Sequence, residues 1–176
     1  LRREEVDLVG LLVDTVADAR AAGPDHDWQL DLAVLEPPAG ATQEEAEDFL
    51  PEPPLVIGDE ARLRQVVVNL LANARVHTPA GSHVTTTLMR EGDTLIVRIH
   101  DDGPGIAPDV RDRLFERFAR GDSSRERRTG STGLGMSIAL AIVQSHGGSI
   151  DVDSSTASED HGTTFTVRLP AAVVEE

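Results

Sequence analysis

The stretch that most constrains this chain covers residues 59–76. Leu63, Val66, Val67, Leu70 and Ala74 recur at helical spacing, so they form one apolar stripe that has to be buried against a second layer. The flanking segments supply such a layer. Residues 84–90 and 95–100 read as two strands joined through Gly92-Asp93 in the manner of a hairpin. Ile150 and Val152, then Phe165, Val167 and Leu169, alternate with polar residues as two further strands do. Upstream, a short apolar strand near Val6 leads into Leu8, Leu11, Leu12, Thr15, Val16 and Ala19, a helical pattern stopped at Gly23-Pro24. Residues 28–35 alternate like a half-buried strand, and 55–57 form a short one. Residues 108–118 look helical, and 134–145 make a third strong helix with Leu134, Ile138, Ala141 and Ile142 on one face, ending at Gly147-Gly148. Helices are mixed with hairpins, so the predicted fold is α+β. A mixed sheet of five or more strands carries about three main helices on one face, as a two-layer sandwich.

The length of 176 residues suits a single domain over 1–176 with its own core. Composition shifts once, at residues 36–54. Five prolines there surround Glu44, Glu45, Glu47 and Asp48, and Thr42 with Glu45 can cap one helical turn. This stretch is expected to be a solvated acidic insertion. The net charge of −15 argues against nucleic acid or an anionic membrane surface as partner, because phosphate contacts draw on basic surface. A single nucleotide held by metal, backbone amides and a few arginines is compatible with it. All 16 basic residues are arginine, which excludes a lysine-dependent phosphate loop. The absence of cysteine excludes disulfides and thiolate metal sites. No apolar run reaches the roughly 18–20 residues that span a bilayer. The chain begins at Leu1 and is expected to be a piece of a longer protein.

Four features carry chemistry. Asn69 and Asn73 lie at i and i+4 on the polar side of the 59–76 helix, with Gln65 in the same row. Their amide oxygens suit a hard cation such as Mg²⁺ beside phosphates, although a solvated polar face would read the same way. Asp101-Asp102-Gly103-Pro104-Gly105-Ile106 follows a strand directly. Its glycines let the backbone turn and approach a ligand, and a strand-end carboxylate can accept from an adenine amine. A plain turn is the rival reading. Gly130-Ser131-Thr132-Gly133-Leu134-Gly135 opens the last helix, where exposed amides and the macrodipole favour anions. The spacing is not Gly-x-Gly-x-x-Gly and no strand precedes it, so it is not a dinucleotide fingerprint. Between these glycine motifs runs an arginine-rich loop with Arg120, Arg125, Arg127 and Arg128, placed where a lid over phosphates would sit.

Together these segments resemble the ATP-binding catalytic domain of bacterial sensor histidine kinases, in the superfamily that also holds DNA gyrase, heat-shock chaperones and mismatch-repair ATPases. RLRQVVVNLLANARVHTP (62–79) is similar to the family's N box and DDGPGI (101–106) to its first glycine box. LFERFARGDSS (114–124) is similar to its F box, GSTGLGMSIA (130–139) to its second glycine box, and GTTFTVRLP (162–170) to its last strand. The resemblance implies the Bergerat ATP-binding fold, with ATP and Mg²⁺ as cofactors. It makes Asn73 the principal metal ligand and places Asn69 beside it. Asp101 would read the adenine amine, with Gly103, Gly105 and Ile106 shaping that pocket and Thr163 adjoining it. Thr132, Gly133, Leu134 and Gly135 would hold phosphates through backbone amides. Residues 107–132 would form the F box and lid, anchored by Phe115 and Phe118 and bearing Arg120 and Arg125.

The implied reaction is transfer of the ATP γ-phosphoryl group to a histidine on a separate dimerisation and phosphotransfer domain, and later to a response regulator. The longer protein would be a homodimer anchored in a membrane, with this domain in the cytoplasm. No phosphoacceptor motif is found around His26, His77, His83, His100, His146 or His161, so the fragment should bind ATP without phosphorylating itself. His77 ends the N-box helix near the expected nucleotide, but a structural role suits it better. Two positions depart from the family. Val76 stands where a basic residue often meets phosphate, with Arg75 on another face, and Ser131 stands where the second glycine box often has its first glycine. Two rivals remain: a protein serine kinase of the anti-sigma type, and a degenerate module that binds partners without using ATP.

Overall fold

A computed structural model of the chain describes residues 2–113 and 134–173. The strands are β1 (Glu4–Asp7), β2 (Asp27–Asp31), β3 (Leu55–Gly58), β4 (His83–Glu91), β5 (Thr94–Asp101), β6 (Ser149–Ser155) and β7 (Gly162–Pro170). The helices are α1 (Leu8–Ala22), α2 (Gln43–Glu47), α3 (Glu60–His77), α4 (Pro108–Arg113) and α5 (Leu134–Ser145). Five strands form one sheet in the order β2-β4-β5-β7-β6. β2 runs parallel to β4 and every other pairing is antiparallel, so the sheet is mixed as expected. β1 and β3 form a separate antiparallel pair.

Local chemistry explains the boundaries. Asp59 caps α3 by accepting from the Arg62 N–H, and Asp7 caps α1 by accepting from the Val9 N–H. α5 ends on the Gly148 N–H donating back to the Val143 carbonyl (2.9 Å), with Gly147 at φ 77°, the left-handed cap a glycine supplies. β4 and β5 turn through Gly92 at φ 61°, as primed hairpin turns require.

Residues 28–35 do not form one strand. β2 stops at Asp31 and the chain enters a 3₁₀ turn at Ala33–Leu35. Val34 is buried all the same, so the alternation recorded burial rather than extended backbone. In the 36–54 segment the expected capping box is present. Thr42 Oγ1 accepts from the Glu45 N–H at 3.2 Å, and Glu45 Oε2 accepts from the Thr42 N–H at 2.9 Å. α2, which it starts, has no buried residue. The helix expected over 108–118 is seen as α4 to Arg113, and its remainder lies outside the described residues.

α3 packs between α1 and α5. Its stripe of Leu63, Val66, Val67, Leu70, Leu71 and Ala74 joins Leu11 and Leu12 of α1, Ala139 and Val143 of α5, and Val97, Ile99, Phe165 and Val167 of the sheet in one core. Leu70 has no exposed surface. Leu70→Ala is therefore expected to cost about 2–5 kcal/mol in urea denaturation. Thr42→Ala, on the solvated segment, should cost about 1 kcal/mol or less.

Candidate functional site

The core fixes where the functional side chains point. Along β5 the residues Leu95, Val97, Ile99 and Asp101 share the face that meets the helices, because side chains alternate with a period of two. Asp101 thus follows three buried apolar residues into the core side of the sheet, at the strand's last position. Its exposure is 6%. One carboxylate oxygen accepts the Gly103 N–H at 3.0 Å. Burial pushes the Asp101 carboxyl above its ordinary range. That hydrogen bond and the neighbouring His100 and His77 pull it part of the way back. The cost of burying this carboxylate would be offset by a partner that donates a hydrogen bond to it.

The glycine turn beside Asp101 is a close-fitted cradle. A Cβ on Gly103 would lie 2.5 Å from Thr78 Cγ2 and 3.0 Å from Asp101 Oδ1. Gly105 has φ 82°, and a Cβ there would drive into the Ser155 carbonyl. Thr163 is buried and sits opposite Asp101 in the β5–β7 register.

On the helix side, the buried stripe of α3 leaves Asn69 and Asn73 half-buried on the opposite side of the helix. Asn69 Nδ2 donates to the Gly135 carbonyl at 3.3 Å, which ties α3 to the start of α5 and leaves the Asn69 carbonyl oxygen to other partners. Asn73 is half-buried, and its side chain makes no hydrogen bond among the described residues. Arg75 does not reach this face. Its stem lies over Gly23, where a Cβ would be 2.7 Å from Arg75 Cδ. Val76 therefore has no basic substitute from Arg75. At the end of α3, partial burial of the His77 imidazole lowers its pKa from the ordinary value, with Asp101 opposing.

The structure gathers Asp101, Gly103, Gly105, Ile106 and Thr163 at the end of β5 and joins Asn69 to Gly135 where α3 meets the start of α5; Asn73 lies one turn further along α3. Thr132, Gly133, Phe115, Phe118, Arg120, Arg125 and Ser131 lie outside the described residues, as does the side chain of Leu134. Among the described residues no group of three or more His, Cys, Asp or Glu side chains could hold a metal, and no helix is long and apolar enough to cross a membrane.

Several supporting residues were not visible in the sequence. Thr78 Oγ1 donates to the Ala74 carbonyl at 2.6 Å, pairs with His26 Nε2 at 2.7 Å and packs behind Gly103. His83 pairs with Asp102 at 2.8 Å, with Asp27 3.7 Å away. Apart from the local Thr78–Ala74 bond, these contacts join residues distant in sequence, and no spacing rule marks them.

The chain is similar to known proteins over most of its length. The family model described as "Histidine kinase-, DNA gyrase B-, and HSP90-like ATPase" matches residues 58–173. The chain is 48% identical over 170 residues to the probable sensor histidine kinase TcrY of Mycobacterium tuberculosis, covering 97% of this chain and 31% of that protein. It is 38% identical over 175 residues to the sensor histidine kinase TrcS of the same organism, covering 97% of this chain and 30% of that protein. Among solved structures, the mycobacterial sensor histidine kinase MprB superposes with a TM-score of 0.74 at 28% identity, covering 96% of this chain and 97% of that one. Full-length ShkA in complex with AMPPNP superposes with a TM-score of 0.74 at 25% identity, covering 100% of this chain and 32% of that one. The chain belongs to the histidine kinase-, DNA gyrase B- and HSP90-like ATPase family. Its curated relatives are sensor histidine kinases, and it spans about a third of their length.

Two predictions follow from the site's geometry. Gly105→Ala combines backbone strain with a steric clash, whereas Gly40→Ala carries only the strain of φ 87° with open space around it. Denaturation should show a loss of about 1–3 kcal/mol or more at Gly105 and a smaller one at Gly40. The second concerns pH. The hydrogen bond to Asp102 holds the His83 imidazole above its ordinary pKa. Asp102 is lowered in turn: partial desolvation opposes the shift, but hydrogen bonds from the His83 N–H and ring outweigh it. The His83 contribution is thus complete below the imidazole's unfolded value and lost as pH rises through its folded one. The Asp102 contribution is lost as pH falls through its depressed one. Denaturation across pH should show His83→Ala losing stability in the weakly acidic window between them and matching the parent above it.

Proposed function

We propose that this chain binds ATP with Mg²⁺ and supplies the γ-phosphoryl group for autophosphorylation of a histidine on a separate domain of a two-component sensor kinase. The observation that carries the reading is Asp101. It is a buried carboxylate at a strand end, anchored on one oxygen by the Gly103 N–H and walled by two glycines that admit no side chain. Such a site fits the edge of a flat base that offers an exocyclic amine.

The donor set also fits the metal. An amide oxygen from Asn73 is a hard ligand, and Mg²⁺ commonly takes only one or two ligands from protein and the rest from phosphates and water. When bound, the metal and nucleotide supply charge neutralisation and the transferable phosphoryl group. The chain's own residues orient and exclude. Asp101 accepts from the base, with Ile106 and Thr163 bounding its pocket. Asn69, braced on Gly135, lines the phosphate end beside Asn73. Backbone amides of Thr132, Gly133, Leu134 and Gly135, at the N-terminus of α5, favour phosphate oxygens. Residues 107–132 serve as F box and lid, with Phe115 and Phe118 as anchors and Arg120 and Arg125 supplying the positive charge that Val76 lacks.

Residues 1–176 form one catalytic domain with a solvated insertion at 36–54. The dimerising, histidine-bearing domain, the response regulator, the homodimer and the membrane anchor belong to the longer protein. This domain itself contacts neither membrane nor nucleic acid.

Three outcomes test the reading. Asn73→Ala should abolish the Mg²⁺ dependence of ATP binding, measured by calorimetry; unchanged dependence would place the metal elsewhere. Asp101→Ala should lose the preference for ATP over GTP, and a retained preference would refute its role. Incubated with labelled ATP, the chain alone should form no acid-labile phosphohistidine, and label should appear once a dimerisation domain carrying the acceptor is supplied. Label on serine of a partner would instead favour the anti-sigma-type kinase.

A further inference from the structure

The glycine turn of residues 103–106 is held from behind by the facing ends of β6 and β7. Ser154 is the centre of that contact. Its Oγ accepts the Ile106 N–H at 2.7 Å, lies 3.0 Å from the Gly162 carbonyl and 2.9 Å from Thr163 Oγ1. A hydroxyl has one proton and two lone pairs. If its proton goes to the Gly162 carbonyl, Ser154 accepts from both Ile106 and Thr163, and its hydrogen-bonding capacity is filled. The Thr163 proton is then committed to Ser154, and only lone pairs remain on the side chain facing Asp101 across the β5–β7 ladder. Two further contacts reinforce the clamp. His161 Nδ1 lies 2.5 Å from the Gly103 carbonyl, so it donates there, and Gly105 is seated against the Ser155 carbonyl. One hairpin end therefore grips the turn at Gly103, Gly105 and Ile106, and at the same time orients Thr163.

We propose that Ser154, seconded by His161, is a positioning residue that sets the shape and polarity of the base-binding end of the site. The inference rests on the ATP reading above. Neither side chain is expected to touch the nucleotide. Ser154 holds the Ile106 amide and the Thr163 hydroxyl in the arrangement that leaves Asp101 and the glycine cradle preformed, so nucleotide binding need not order them.

The test uses Ser154→Ala, Ser154→Thr and His161→Ala with two readouts: calorimetric titration with ATP and with ADP, and amide hydrogen exchange at Ile106 in the nucleotide-free protein. Ser154→Ala should weaken ATP and ADP by the same factor, about tenfold, since two or three hydrogen bonds of ordinary net strength are lost. It should also speed exchange at Ile106. Ser154→Thr keeps the hydroxyl on a half-buried strand position and should restore both. His161→Ala should weaken binding about threefold. Parent-like affinity in Ser154→Ala would overturn the inference, as would failure of Ser154→Thr to restore it. If the parent chain itself binds no ATP, the functional reading falls, and unchanged Ile106 exchange in Ser154→Ala would sink the clamp independently.

Discussion

The site depends first on how α3 is seated. Leu63, Val66, Val67, Leu70, Leu71 and Ala74 are buried between the sheet and the flanking helices, and that burial fixes the rotation of the helix about its axis. Once the rotation is fixed, Asn69 meets the start of α5, Asn73 follows one turn on, and the last turn of α3 is brought beside the end of β5. The same logic applies to the sheet. The buried series Leu95, Val97 and Ile99 makes the next residue of that face, Asp101, a core-side residue. The orientation of the Asn69 and Asn73 amides and the burial of the Asp101 carboxylate are thus consequences of one packed interface rather than of flexible loops.

The electrostatics suit a polyanion bound in an acidic chain. A net charge of −15 offers no general attraction for a nucleotide, so affinity has to come from local groups. The described part of the site contributes amide oxygens, backbone N–H groups and one desolvated carboxylate. Arg75 adds no charge to the Asn69–Asn73 face, because its stem lies over Gly23. In this account positive charge arrives with the metal and with residues of the lid. Under the proposed function, a site arranged in this way would bind the metal–nucleotide complex in preference to the free nucleotide.

Much of the architecture was legible in the sequence because burial imposes periodicity. The stripes of α1 and α3, the β4–β5 hairpin at Gly92 and the capping box at Thr42 were each read from spacing and cap chemistry. The face expected on α5 was only partly right: Ile142 is buried, but Ile138 and Ala141 are exposed, and Met136, Ala139 and Val143 enter the core instead. The strand expected over 28–35 broke at Asp31 because burial of Val34 is satisfied equally by a 3₁₀ turn. The separate pairing of β1 with β3 was not foreseen, since nothing in two four-residue strands specifies which sheet they join. In the site, Asn69, Asn73, Asp101 and the glycines stood out because their residue types are unusual for their positions. Thr78, Ser154 and His161 did not. Serine, threonine and histidine are ordinary in turns and strand ends, and their roles here arise from partners such as Ile106, 48 residues from Ser154, and Gly103, 58 residues from His161.

The central claim is that the arrangement around Asp101 and Asn73 is a nucleotide site that works with a divalent cation. The most direct measurement is a calorimetric titration of the unmodified chain with ATP, with and without Mg²⁺, on a sample shown to be folded by its cooperative unfolding. The account predicts saturable one-to-one binding that Mg²⁺ strengthens. Absence of binding in the folded protein would contradict it, and would leave a family member that has kept the fold of its relatives without their use of ATP.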